Sequence, residues 1–81
     1  MIIKYPSIYR GNVLDTNDPW GKGRLYISCP ENPGTTGWAM PCVAYDSSDT
    51  VTTTPPVGAN VWIMFEDGDP GYPVWMGWFP G

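Results

Sequence analysis

Two runs of β-forming residues stand near the end of this chain, Val61-Trp62-Ile63-Met64-Phe65 and Val74-Trp75-Met76-Gly77-Trp78, on either side of Glu66-Asp67-Gly68-Asp69-Pro70-Gly71. β-Branched and aromatic side chains suit a pleated surface. Asp-Gly supplies the positive φ that a reversal needs, and Pro70 presets φ for a second bend. The spacing predicts a β-hairpin with a loop of about six to eight residues. Such a loop leaves the register to the packing of the tryptophans. A hairpin alone is marginal in water, so the preceding residues must supply further strands.

They read as strands and not as helices. Ten glycines and ten prolines interrupt the chain, and apolar residues recur with period two or in short blocks, never at i, i+3, i+4, i+7 over two turns. Residues 8–15 (IYRGNVLD) alternate Tyr9, Gly11 and Val13 against Arg10, Asn12 and Leu14. Gly11 inside this first strand predicts a bulge or sharp bend. Residues 24–29 (RLYISC) set Leu25 and Ile27 against Arg24, Tyr26 and Ser28. Residues 38–43 form a third strand in which Pro41 belongs at an edge or a bulge, and residues 50–54 could pair briefly as an edge strand. With the hairpin this makes five strands, and a small closed barrel is expected because closure removes unpaired edges. A two-sheet sandwich is the alternative. Residues 1–7 read as an arm held only if a neighbour ties it down, and residues 8–81 as a single all-β domain. Five Trp, five Tyr and two Phe exclude a disordered chain, which lacks the large apolar groups that offset chain entropy.

Catalytic chemistry has few residues to use. The chain has no histidine, which removes the commonest general base, the usual zinc ligand and the standard partner of a Ser or Cys nucleophile. Two cysteines alone cannot close a zinc site. Cys29 and Cys42 read as buried thiols on neighbouring strands in preference to a disulfide. Glu66, Asp67 and Asp69 are the one concentration of carboxylates, but they miss the EF-hand pattern and fall where a solvated turn uses Asp and Gly. The segment Asp18-Pro19-Trp20-Gly21-Lys22-Gly23-Arg24 has glycines without phosphate-loop spacing and no helix to follow. Its expected job is packing, with Trp20 over one barrel end and Lys22 and Arg24 in water or paired with carboxylates. No cofactor, no metal and no enzymatic activity are expected.

The net charge of −4 repels phosphate, so nucleic acid is not an expected partner. No apolar run approaches the roughly 20 residues of a membrane span, and Met1-Ile2-Ile3-Lys4 is too short for a signal peptide; a soluble protein made inside the cell is expected. Five tryptophans, Trp20, Trp38, Trp62, Trp75 and Trp78, exceed what so small a core can hold. Trp62 and Trp75, on opposed strands, are expected in the core or at its edge. Trp20, Tyr72, Trp78 and Phe79 are expected to be exposed, as interface anchors are. An interaction module remains once catalysis is set aside.

Three stretches in order, GNVLDTNDPWGKGRLYI (11–27), GWAMP (37–41) and PVGANVWIMFEDGDPGYPVWMG (56–77), resemble the OB-fold domain at the base of contractile-tail spikes. That family includes the N-terminal domain of the T-even phage central spike, the baseplate assembly protein V group and the matching domain of type VI secretion spikes. The resemblance covers residues 8–78 and implies a five-stranded Greek-key OB barrel without an active site. It further implies a homotrimer seated between the tail hub protein and a spike or needle tip protein, in the virion tail baseplate, assembled in the host bacterial cytoplasm. Loops carrying Trp20, Tyr72 and Phe79 would face the hub and the other protomers. These 81 residues hold neither the β-helical needle nor the lysozyme domain that usually follows, so a separate tip chain or a minimal hub plug is expected. Two other classes fit an OB barrel rich in aromatics: a single-stranded nucleic-acid binder and an oligosaccharide-binding module.

Overall fold

The computed structural model describes residues 4–31, 35–43 and 54–80. Five strands follow in chain order, β1 (Tyr9–Asp15), β2 (Leu25–Ser28), β3 (Gly37–Pro41), β4 (Asn60–Phe65) and β5 (Pro73–Phe79). They close into a barrel in the order β1-β2-β3-β5-β4, with β4 returning to β1. Every neighbouring pair is antiparallel except β3 and β5. A parallel pair needs a long crossover, and β4 lies within it. Of the residues expected as an edge strand at 50–54, all but Thr54 lie outside the described residues, and Thr54 is in no strand.

Strand β1 is shared. Its first half, Tyr9 to Asn12, pairs with β4, and its second half, Asn12 to Asp15, pairs with β2. Between Val13 and Asp15 the register slips, so Leu14 is the extra residue of a bulge. The bend expected at Gly11 is therefore three residues further on. Gly11 is needed for another reason: a Cβ there would stand 2.7 Å from Ile63 Cγ1 and 3.2 Å from the Ser28 carbonyl oxygen. Only a residue without a side chain lets β1 press so closely on its neighbours.

A second slip separates Trp62 from Trp75. Val61 pairs with Trp78 and Ile63 with Trp75, so Trp62 stands opposite both Met76 and Gly77. Gly77 takes φ +150°, which suits glycine. Trp75 turns inward and is buried, whereas Trp62 is only half-buried on the outer wall. Inside, Val13, Leu25, Ile27, Ala39, Val61 and Ile63 are at most 1% exposed, and Cys29, Phe65 and Trp75 complete the cluster. Truncating Leu25 or Ile63 to alanine in so small a core costs about 2–5 kcal/mol.

Both cysteines are free. Cys29 is buried as expected, and burial pushes its thiol pKa up. Cys42, expected buried, is exposed, because it continues the outward parity of Met40 whereas Ala39 faces the core. The arm is tied down at its described end: the Tyr5 N–H donates to the Gly68 carbonyl at 2.8 Å, and the Tyr5 ring packs on Tyr9 and Phe65.

Candidate functional site

The connection between β1 and β2 is built on one carboxylate. Asp18 accepts the backbone N–H groups of Trp20 and Lys22 at 2.9 Å each and that of Arg24 at 3.2 Å. It also accepts Nε and Nη2 of Arg24 at 3.0 and 2.8 Å. Their side chains are only 4% and 9% exposed. The Arg24 guanidinium holds the Asp18 carboxyl well below the usual carboxylate range; burial opposes this, and the three backbone donors support it.

The same guanidinium fixes Trp20. Its carbon lies 3.8 Å from the Trp20 ring centroid and 5.3 Å from that of Trp38, and Trp38 in turn meets Tyr26 across β2 and β3 at 5.2 Å. The Trp75 indole N–H donates to the Gly23 carbonyl at 3.1 Å, pinning the loop to the core. Trp20 is therefore 68% exposed and yet held in place. An anchor fixed before binding loses little side-chain freedom on docking. Arg24 pairs with a carboxylate as expected, but the packing expected of Trp20 falls to Arg24 and Trp75, with Trp20 on the outside of the loop.

The other expected anchors are spread over the barrel. Strands β1, β3 and β5 run one way and β2 and β4 the other, so Trp20 and the end of β5 emerge at one end and the β4–β5 loop at the opposite end. Tyr72 is 60% exposed in that loop. Asp69 shapes it by accepting the Gly71 N–H, and the Glu66 N–H donates to the Tyr72 carbonyl. Asp67 and Gly68 take positive φ there, as the Asp-Gly pair predicts. Trp78 is 59% exposed. Phe79, expected exposed, is half-buried, because it packs on Trp62 at 4.4 Å between centroids and lies beside Arg10.

Two features escape a reading of the sequence. One is a row of apolar side chains on the outer wall, where Met40 and Met64 both pair with Val74 and both methionines are exposed. The other is the group of Arg10, Trp62 and Phe79. The signal for both is outward parity on each strand, but which outward residues meet depends on the two register slips.

A closed five-stranded barrel in this strand order, with β1 shared between two neighbours, is an OB-fold domain, a class that works through its surface. The family model of the type VI secretion system/phage-baseplate injector OB domain matches residues 9–79, and the chain belongs to that family. Membership gives it a structural role in a baseplate injector. No curated protein matches the chain. Among the described residues no helix is long and apolar enough to cross a membrane.

Proposed function

We propose that this domain is a non-catalytic adaptor of a contractile-tail baseplate, a homotrimer that joins the tail hub protein to the spike or needle tip protein within the virion. Assembly takes place in the cytoplasm of the host bacterium. The observation that carries this reading is the presence of exposed aromatics at opposite ends of one rigid barrel, Trp20 and Trp78 at one end and Tyr72 at the other. An adaptor needs two docking ends, and aromatic anchors are how such ends hold. The outer-wall row of Met40, Val74 and Met64, in which both methionines are exposed, supports contact between copies, since methionine is enriched at interfaces.

The test is the solution mass of the chain across concentration by light scattering, alone and mixed with its hub protein. A trimer that takes up the hub supports the reading, and Trp20→Ala is then expected to weaken hub uptake without unfolding the barrel. A monomer at every concentration that also ignores the hub overturns it.

A further inference from the structure

Four strands place one line of residues across the outer wall. Ser28 on β2 pairs with Asn12 on β1, Asn12 with Asn60 on β4, and Asn60 with Phe79 on β5. These four, together with Arg10 and Glu31, line a cleft of about 390 Å³. That volume suits a short ligand segment.

Arg10 gives the cleft its chemistry. Its guanidinium carbon stands 5.3 Å from the Trp62 centroid and 5.2 Å from that of Phe79, so the rings steady it from one side. Arg24 is neutralised by Asp18 and Lys4 stands 3.5 Å from Asp67, whereas no carboxylate and no hydrogen-bond acceptor among the described residues meets Arg10. In a chain of net charge −4, a cation steadied by stacking and in no ion pair among the described residues is a complementary site for one carboxylate. The planar guanidinium matches that group with two parallel hydrogen bonds.

The neighbouring amides define what carries the carboxylate. Asn12 donates its Nδ2 to the Gly58 carbonyl at 3.1 Å, which leaves its side-chain oxygen as an acceptor. Asn60 has no hydrogen-bond partner for its side chain among the described residues. Side-chain amides offer the same donor and acceptor as a peptide group. We propose that this cleft binds an extended peptide segment of a partner protein through one acidic residue, with Arg10 taking the carboxylate and Asn12 and Asn60 taking the adjoining peptide groups. Glu31 on the rim repels a second acid and favours an N–H or a basic residue beside the first. This site goes beyond the adaptor reading and is independent of trimer formation.

The experiment is an amide-resolved NMR titration of the intact chain with acetyl-Gly-Glu-Gly-amide, its Gln analogue and sodium acetate. The expected result is saturable shifts of the Arg10 Nε–H and of the Asn12 and Asn60 side-chain amides with the Glu peptide. Binding is expected to be at least about tenfold weaker with the Gln peptide or with Arg10→Gln, the order of one charge-assisted hydrogen bond. Arg10→Lys, which keeps the charge and loses the fork, is expected to fall between. Three outcomes overturn the proposal: no saturable shift at these groups, equal binding by Arg10→Gln with its spectrum otherwise intact, or acetate binding as tightly as the Glu peptide.

Discussion

Arg24 and Arg10 each lie against two aromatic rings, and the resemblance stops there. Arg24 stands by Trp20 and Trp38 with its fork on Asp18, its side chain 9% exposed. Arg10 stands by Trp62 and Phe79 on the open wall with no carboxylate among the described residues. A buried guanidinium left without its partner keeps the cost of desolvation, so Arg24 is committed to holding a loop. An exposed one bears no such cost and remains able to pair with a ligand. The difference lies in the turn that brings Asp18 back over Arg24, since the ring contacts are shared.

That contrast can be broken by substitution. Arg24→Ala strands Asp18 and removes the support under Trp20, and is expected to lower the thermal midpoint by about 10 °C or more. Gly11→Ala drives a Cβ into Ile63 beneath the Arg10 wall; a loss of about 1–3 kcal/mol in urea unfolding is expected. Acid sharpens the comparison further. Because the folded state depresses the Asp18 pKa, the stability that Asp18 contributes is complete above its unfolded value of about 4 and is lost as the pH falls below it. Urea midpoints measured from pH 7 to pH 3 should drop less steeply in Asp18→Asn, which starts lower. The smallest effect is Arg10→Ala, expected within about 0.5 kcal/mol of the parent protein by the same unfolding measurement. A loss as large as that of Arg24→Ala would erase the distinction.

The barrel was legible in the sequence because alternation on one strand requires no knowledge of any other. Tyr9, Gly11 and Val13 against Arg10, Asn12 and Leu14 show which way β1 faces, and the two closing runs with Asp67-Gly68 between them show a hairpin. What the sequence left hidden depends on register between strands. Trp62 and Trp75 look equivalent in composition, yet Trp75 pairs with Ile63 in the core whereas Trp62 stands on the outer wall, opposite the slip at Met76 and Gly77. Gly11 has the sequence appearance of a bend, and its actual constraint is Ile63, far along the chain. Phe79 reads as a loose end until β4 brings Trp62 beneath it. Cys29 and Cys42 each fall one residue past a strand, but Cys29 continues the inward parity of Leu25 and Ile27 whereas Cys42 continues the outward parity of Met40. For the interface, Trp20 was legible as an aromatic in a loop, but the clamp that fixes it was not, because five intervening residues had to fold back before Asp18 and Arg24 could meet.

The shared strand β1 also sets the order in which this molecule can be made. Its second half can zip to β2 as soon as a nearby loop closes, whereas its first half must wait for β4, which is synthesised much later. Closing so long a loop is entropically slow. Until then Tyr9 to Asn12 present an open hydrogen-bonding edge, the point at which a nascent chain is most exposed to pairing with a stranger and at which the rate of barrel closure decides how much protein survives its own synthesis.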